Sequence, residues 1–219
     1  MSAQNLSELR SFQREIAEKV VLEDLYRKPV TCVAGIDLAF KEDIAVTAYV
    51  AMAFPSLKLV YKKALTSRVD FPYMPTFLSF REGPPIIEVI CSSDVKPEVL
   101  LINSHGIAHP LFCGCASHVG VLTQSPTIGV AQRNLCGEYE SEPGEVGKYV
   151  SMYFRERAVG WVFKSKGGCR PIFVSPGHLV SLESSLEIVR GCMGGYKLPL
   201  PLHHAHIFAN EERDRIVTP

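Results

Sequence analysis

Two stretches of the sequence decide the fold: VAGIDLAF, from Val33 to Phe40, and LLINSHGIAHP, from Leu100 to Pro110. In each, a run of apolar residues bounded by polar ones predicts a buried strand. The first strand carries the carboxylate of Asp37, and the second is followed by the amide of Asn103. A carboxylate delivered by a strand is a common ligand for the divalent cations that assist phosphodiester cleavage. A neutral amide therefore stands where a second carboxylate would be expected.

The surrounding patterns predict how the chain begins. Helix-like spacing of apolar residues covers Leu6–Leu25, with Ser7 as a candidate cap. Three β-rich segments joined by short polar turns follow, at Val33–Phe40, Ala45–Phe54 and Leu57–Leu65. Together these three segments predict an antiparallel meander.

The second half of the chain alternates strands and helices, which predicts an α/β protein. The predicted elements are the strands Val99–Ile102, Thr127–Ala131 and Pro171–Val174, a loop at Glu138–Lys148, and helices near Phe112–Leu122 and Ser181–Cys192, the latter opened by Ser175–His178. The segment Tyr149–Val162 is ambiguous. A chain of 219 residues can bury a sizeable core, and we expect one domain over residues 1–219.

Composition excludes several classes of protein. Lys plus Arg and Asp plus Glu both number 23, so any contact with nucleic acid must come from local clusters of charge. Seven irregularly spaced cysteines favour a reducing compartment over a disulfide framework. The only close pair, Cys113 and Cys115, fits either a structural metal site or small buried core residues. No stretch reaches the length of a membrane span, so we expect a cytoplasmic protein without a membrane partner, and a monomer.

The segment FPYMPTFLSFREGPPI, from Phe71 to Ile86, combines prolines with aromatic residues. Pro72 and Pro75 stiffen the backbone on either side of Tyr73, so the ring could be presented on a rigid loop and stack on a base. A stiff turn packed on a neighbouring strand is the alternative. Glu82 lies just before Gly83-Pro84-Pro85, where proline suits the start of a helix that runs through Ile90.

Taken together and in order, these motifs closely resemble the endonuclease V family. The matching segments are VAGIDLAF, PYMPTFLSFREGPP, HGIAHP, ASHVGV, PTIGVA, LCGEYE, VSPGHLVSLESSLEIV and GYKLPLP. The resemblance implies a ribonuclease H-like mixed sheet flanked by helices. It also implies an endonuclease that cuts DNA or RNA near deaminated bases, chiefly hypoxanthine in deoxyinosine or inosine.

The resemblance also implies roles for individual residues. Asp37, Glu82 and the residue at position 103 match the ligands of Mg²⁺ or Mn²⁺, and Tyr73 between Pro72 and Pro75 matches a wedge that enters the stack of bases. The loop Ser104, His105, Gly106 and Ile107 matches the pocket for the extruded base, where a backbone N–H would donate to a keto oxygen and exclude an amine, which is itself a donor. His206 matches a position near the metal. The adjacent His203 and His204 are expected to face opposite ways rather than to form a metal cluster.

Three departures from the family pattern remove charge from the expected active face. Asn103 replaces an aspartate, Gln132 stands where a lysine follows Gly-Val-Ala, and Leu111-Phe112 replace a pair of arginines. The implied catalytic set is therefore Asp37, Glu82, Asn103, Gln132 and His206. A single Asp→Asn change made to trap substrate would not explain the other departures, so divergence of the whole site is the better explanation.

Two interpretations remain open on the sequence. The first is a metal-dependent endonuclease with weakened or altered activity, in which Asp37 and Glu82 position one metal ion. The second is a family member without catalysis that binds nucleic acid or a protein partner. The preference for DNA or RNA also stays open, because nothing in the sequence indicates how a 2′-OH would be read.

Overall fold

In a computed structural model that describes residues 3–216, the chain folds around a single large sheet with helices on both faces. The strands are β1 (Cys32–Lys41), β2 (Ile44–Ala53), β3 (Leu59–Arg68), β4 (Val99–Ile102), β5 (Thr127–Ala131), β6 (Tyr149–Phe154), β7 (Arg157–Phe163) and β8 (Ile172–His178). The helices are α1 (Ala3–Glu18), α2 (Leu78–Ser92), α3 (Cys115–Thr123), α4 (Leu182–Gly191) and α5 (Leu200–Asp214). The predicted domain limits, residues 1 and 219, lie outside the described residues.

The sheet is mixed, with strand order β3-β2-β1-β4-β5-β8-β7-β6. β1, β2 and β3 form the predicted antiparallel meander, because their connections are too short for anything but hairpins. β4 and β5 lie parallel to β1, and the chain returns to the same edge through α2 and α3. The remaining strands are antiparallel. The predicted ribonuclease H-like mixed sheet flanked by helices is confirmed.

The two faces of the central strands are covered by different helices, as the two-residue period of a strand requires. Val33 of β1 and Leu101 of β4 join the cluster that includes residues of α4 and α5. Ala34 and Leu100 face the opposite cluster, which α2 and α3 complete. Asp37 has the same parity as Val33, and its carboxylate accordingly meets α5.

Gly35 sets the distance between α5 and the sheet. A Cβ atom added there would lie 2.3 Å from the carbonyl carbon of Pro201, which is far inside contact distance. Only a glycine lets the first turn of α5 approach β1 this closely. The approach brings His206, one turn further along α5, within reach of Asp37.

The start of the chain differs from the prediction. α1 ends at Glu18 rather than at Leu25. The Val21 N–H donates to Nδ1 of His178 at 3.2 Å, and the Val21 carbonyl accepts from the Leu179 N–H at 2.7 Å. These contacts with the end of β8 satisfy the backbone without a helix, so tertiary hydrogen bonds override the local helical pattern.

The expectation that Pro84 begins a helix is wrong. α2 begins at Leu78, so both prolines lie inside it and Glu82 lies in its second turn. A proline inside a helix removes one main-chain hydrogen bond, which is normally destabilising. Here Pro85 and Ile86 are buried against the sheet, and that burial holds the turn in the helix.

The expectation that Ser175–His178 opens a helix is also wrong, because these residues continue β8. The pairing of β8 with β5 shifts register between Thr127 and Ile128, and Pro176 lies beside this irregularity. Proline is tolerated in a strand at such a position. α4 instead begins after Ser181, whose hydroxyl accepts the N–H of Ser184 at 3.2 Å.

Other segments were predicted with shifted limits or left open. The helix expected from Phe112 begins at Cys115, and Tyr149–Val162 forms the hairpin of β6 and β7. All cysteines are free, and Cys113 and Cys115 are buried. Over residues 3–216, no helix combines the length and apolarity needed to cross a bilayer.

His118 is a buried histidine that joins α1, α2 and α3. Its ring lies edge-on between Phe12 and Phe80, with centroid distances of 5.6 and 5.4 Å. Nδ1 has no hydrogen-bond partner within the described part of the chain. Burial lowers the pKa of His118 to about 4, because the apolar rings disfavour the charged imidazolium.

We expect His118 to make the fold sensitive to acid. Between the ordinary pKa of 6.5 and the folded value of about 4, the unfolded chain binds a proton that the folded chain does not. Above pH 6.5 His118 is neutral in both states, and its protonation does not affect the free energy of unfolding. Below pH 6.5 protonation of the unfolded chain lowers the free energy of unfolding, by up to ~1.4 kcal/mol per pH unit. In urea titrations at pH 7, 6 and 5, His118→Phe should reduce the slope of unfolding free energy against pH. His204→Phe, at an exposed position, should keep the wild-type slope; an unchanged slope in His118→Phe would contradict the assignment.

Candidate active site

Main-chain pairing brings Asp37 and Asn103 together. β1 and β4 are parallel neighbours in which Ile36 pairs with Ile102, and the Asn103 N–H donates to the Ile36 carbonyl at 3.1 Å. The two following side chains therefore lie side by side. Nδ2 of Asn103 donates to Oδ1 of Asp37 at 2.9 Å.

The second oxygen of Asp37 faces α5. Nδ1 of His206 lies 2.7 Å from Oδ2 of Asp37, and Oδ1 also accepts the N–H of Leu38 at 2.9 Å. Asp37 is only 5% exposed, so these partners replace the water that a buried carboxylate would otherwise lack. The hydrogen bond to Asp37 raises the pKa of His206, against the opposing effect of burial.

Glu82 reaches the same region from α2. Burial and, secondly, the charge of Asp37 raise the pKa of Glu82 to about 8, while Arg81 lowers it. Arg81 is engaged elsewhere, because its guanidinium donates to the carbonyl of Phe71 and lies 4.4 Å from the centre of the Phe40 ring. Two acids thus share one poorly solvated region, and a cation placed between them would stabilise the charged form of both.

The donor set suits one weakly held divalent cation. Asp37 and Glu82 supply carboxylate oxygens, which Mg²⁺ and Mn²⁺ prefer. In the described residues, no group of three or more His, Cys, Asp or Glu side chains is placed to hold a metal ion. Asn103 presents its NH₂ group to Asp37, so its carbonyl oxygen would face a cation only after the amide turns over. Asp37 and Glu82 could therefore serve as two charged ligands, and a third carboxylate would complete the set.

A cavity of about 270 Å³ lies beneath the loop that carries Tyr73. Tyr73 is 71% exposed, so its ring stands at the rim rather than in the core. The lining residues come from the Tyr73 loop, α2, the loop after β4, the start of α3 and the segment after β5: Tyr73, Met74, Pro75, Thr76, Leu78, Ser79, Ser104, His105, His109, Cys113, Gly114, Cys115, Arg133, Asn134 and Leu135. The volume of the cavity is close to the lower limit for small-ligand pockets, ~300 Å³, and this volume suits a single base.

The Tyr73 loop is anchored at Thr76, whose φ of +67° marks a sharp turn. Nη2 of Arg10 donates to Oγ1 of Thr76 at 2.6 Å, and Nε2 of Gln13 donates to the Thr76 carbonyl at 2.8 Å. Nε2 of His109 lies 3.1 Å from the same carbonyl. α1, which the sequence indicated only as cover for the core, thus holds the loop in place. The fully buried Gln13 is the polar exception on the apolar face of that helix.

The loop predicted to form the base pocket divides into two parts. Ser104 and His105 line the cavity, and Nε2 of His105 lies 2.9 Å from the Arg133 carbonyl. Gly106 and Ile107 lie behind it, since their N–H groups donate to Oγ of Ser175 at 2.8 Å and to the Pro176 carbonyl at 2.9 Å. A Cβ on Gly106 would lie 2.1 Å from the Pro176 carbonyl oxygen, so this glycine permits close packing on β8.

Two buried hydroxyls line the cavity, and the sequence predicted only one of them as a site residue. Ser79 Oγ has no hydrogen-bond partner in the part of the chain described. Among residues 3–216, the one hydrogen-bonding partner of Ser104 Oγ is the thiol of Cys115, which is a weak hydrogen-bonding group. A buried hydroxyl without a good partner is destabilising, so both favour a polar ligand. Ser79 carries no signal in the sequence, because it is one polar residue within an amphipathic helix.

Gln132 lies in a second depression of about 340 Å³ that adjoins the cavity. The two share Leu78, Ser104, His105 and Arg133, and the second also reaches Asn103. The second depression therefore extends from the wall of the cavity to Asn103, which is hydrogen-bonded to Asp37. We call this second depression the Gln132 groove.

The other predicted positions lie apart from Asp37. Phe112 packs on Phe154 with a centroid distance of 5.8 Å, and the guanidinium of Arg157 lies 5.2 Å from the Phe112 ring centre. His203 stacks on Tyr196, with ring centroids 3.7 Å apart. His204 is exposed. Neither histidine bonds to Asp37 in the described residues, whereas His206 does.

Comparisons with known proteins agree with this geometry. The family model for endonuclease V matches residues 14–207. An endonuclease V of Roseiflexus sp. (strain RS-1) is 37% identical over 209 residues, covering 95% of this chain and 94% of the relative.

Two solved structures show the same fold. The endonuclease V of Streptomyces avermitilis superposes with a TM-score of 0.87 at 30% identity, over 95% of this chain and 92% of the other. A variant endonuclease V of Ciona intestinalis, in complex with a 23mer DNA containing an inosine followed by a ribo-adenosine, gives 0.86 at 26% identity, over 99% and 100%. With the family model covering most of its length, the chain belongs to the endonuclease V family.

Proposed function

We propose that this protein is an endonuclease that acts on DNA or RNA near deaminated bases, with cleavage slowed by the loss of a metal-binding carboxylate. The observation that carries the proposal is the junction of the cavity with the Gln132 groove. A base-sized cavity beneath Tyr73 opens toward Asn103, which is hydrogen-bonded to Asp37. A base bound in the cavity would leave its sugar-phosphate backbone along the groove, which leads to Asn103, the hydrogen-bond partner of Asp37.

The cavity offers donors that suit a keto base. In the loop after β4, the N–H groups of Gly106 and Ile107 are already used, whereas the His105 N–H has no acceptor among the described residues. A free N–H can donate to the C6 oxygen of hypoxanthine but faces a donor in the C6 amine of adenine. The hydroxyls of Ser79 and Ser104 can adapt as donor or acceptor.

Asp37 and Glu82 would hold one Mg²⁺ or Mn²⁺ ion, with the carbonyl of Asn103 as a neutral third ligand after its amide turns. When bound, such a cation polarises the phosphate, activates water and stabilises the leaving oxygen. His206 orients Asp37 through the 2.7 Å contact with Oδ2. A neutral amide attracts a cation far less than a carboxylate does, so we expect weak metal binding and slow cleavage.

A second candidate function is nucleic-acid binding without cleavage. The observation that favours it is the set of hydrogen bonds from Asn103 and His206, which satisfies the Asp37 carboxylate with no cation at all. The inosine-containing DNA bound by the Ciona intestinalis relative supports the nucleic-acid partner for both candidates. Cleavage assays separate the two.

Tyr73→Ala should weaken binding of an inosine-containing oligonucleotide about 10- to 100-fold, because one aromatic stacking contact contributes ~1–3 kcal/mol. Fluorescence anisotropy with inosine and adenosine versions of one oligonucleotide measures this. Tyr153→Ala, which removes an exposed ring from β6, should bind like the wild type. Equal affinities for Tyr73→Ala and the wild type would remove Tyr73 from the interface.

Asn103→Asp should tighten Mn²⁺ binding by at least about tenfold, since it adds a charge within a few ångströms of the cation. Mn²⁺ should also raise the melting temperature of this variant more than that of the wild type, because the ion relieves repulsion between residues 37 and 103. Titration calorimetry and thermal unfolding measure the two effects. Ser56→Asp adds the same charge in the exposed β2–β3 turn and should change neither; an Asn103→Asp variant that behaved like it would refute the assigned ligand set.

Asn103→Asp combined with Gln132→Lys should accelerate nicking of an inosine-containing oligonucleotide in Mn²⁺ by ~10²-fold or more, chiefly because the carboxylate at position 103 restores electrostatic stabilisation. Single-turnover assays at high enzyme excess measure the rate, with an adenosine oligonucleotide as substrate control. No nicking by the wild type would favour the binding-only candidate. No gain in the double variant would show that these departures do not limit the rate.

A further inference from the structure

Lys197 places a positive charge beside the residue that has lost one. Its Nζ lies 3.3 Å from Oε1 of Gln132, although 65 residues separate the two in sequence. Gln132 follows the end of β5, and Lys197 lies in the connection between α4 and α5. The contact thus delivers an ammonium to the edge of the Gln132 groove from a different part of the chain.

The backbone of Lys197 is held firmly. Its carbonyl accepts the hydroxyl of Ser165 at 2.6 Å, and the next residue, Leu198, is buried in the core that includes residues of α4. Gly195, with a φ of +82°, turns the chain two residues earlier. A lysine with an anchored backbone loses less entropy when its ammonium binds a ligand than one on a loose loop.

The ammonium has no acid to neutralise it. Within residues 3–216, Lys197 takes part in no ion pair, and its partner is a neutral amide at the long end of hydrogen-bond distances. The residues that line the Gln132 groove include Arg133 but no carboxylate. A protein with zero net charge therefore presents a locally positive edge here.

We infer that Lys197 is a phosphate-binding residue that supplies, from the α4–α5 connection, the positive charge that Gln132 lacks. The inference rests on the proposed function, since it places the nucleic-acid backbone along the Gln132 groove. The contact with Gln132 is weak enough to be exchanged for a phosphate oxygen, to which an ammonium binds more strongly than to an amide. Lys197 then replaces the positive charge that is missing at position 132, whereas the negative charge that is missing at position 103 is not replaced.

An exchange of the two side chains tests the inference. The variants are Lys197→Gln, Gln132→Lys and the two changes together. The double variant moves the ammonium from position 197 to position 132. The control is Lys58→Gln, in the β2–β3 turn. The pairing of Ala53 with Cys32 places this turn at the Cys32 end of β1, whereas Asn103 lies beside the middle of β1. Urea unfolding of each variant checks that the fold is retained.

Lys197→Gln should lower single-turnover nicking about 10- to 100-fold. It should also flatten the plot of log affinity against log salt by about 0.7 for a single-stranded inosine oligonucleotide, as one lost phosphate contact requires. The exchanged pair should recover both values to within a few-fold. Gln132→Lys alone should add little, because its ammonium would repel that of Lys197. Lys58→Gln should match the wild type.

The outcomes separate this inference from the proposed function. A wild-type preference for inosine together with an unchanged salt slope in Lys197→Gln overturns the role of Lys197 alone. No wild-type preference for inosine overturns the proposed substrate, and the salt slope still decides whether Lys197 contacts phosphate. If the wild type does not nick, the salt slopes of the four variants carry the test. A wild type that binds no oligonucleotide overturns both.

Discussion

The parallel pairing of β1 with β4 is the constraint on which the site depends. Because the hydrogen bond between the Asn103 N–H and the Ile36 carbonyl extends this ladder, position 103 must lie beside Asp37. A shift of β4 by one residue would turn the side chain of residue 103 to the other face of the sheet, away from Asp37. The buried apolar residues on each face oppose that shift, so the geometry of the site is held by the core rather than by the site itself. Gly35 then lets α5 approach and close the site with His206.

Within this rigid frame the balance of charge decides the chemistry. An aspartate at position 103 would repel Asp37 and require a cation between them. The amide of Asn103 instead donates to Asp37, and His206 binds the other oxygen. A buried carboxylate with two such partners is stable without metal. The same arrangement would therefore compete with the metal binding proposed above, whereas burial and the charge of Asp37 keep the pKa of Glu82 raised.

The cavity beneath the Tyr73 loop depends on contacts between distant parts of the chain. α1 and His109 both hold Thr76, so the loop that presents Tyr73 is fixed from two sides. β8 supports the loop after β4 from behind through Ser175 and Pro176. These supports leave the exposed ring of Tyr73 at the rim of a preformed cavity, which would lower the entropic cost of binding the proposed base.

The sequence by itself determined the meander, the central strands β4 and β5, and the family. These features depend on local apolar patterns and on motifs that are continuous in the chain. Only the tertiary structure decided the extent of β8 and the early end of α1, because hydrogen bonds between distant segments outweigh local propensity there. Only the tertiary structure also revealed that the buried hydroxyl of Ser79 has no partner in the described residues and that Lys197 contacts Gln132. It likewise decided which residues of the loop after β4 line the cavity and which pack on β8. Each of these depends on which residues meet across the fold, and spacing along the chain does not encode that.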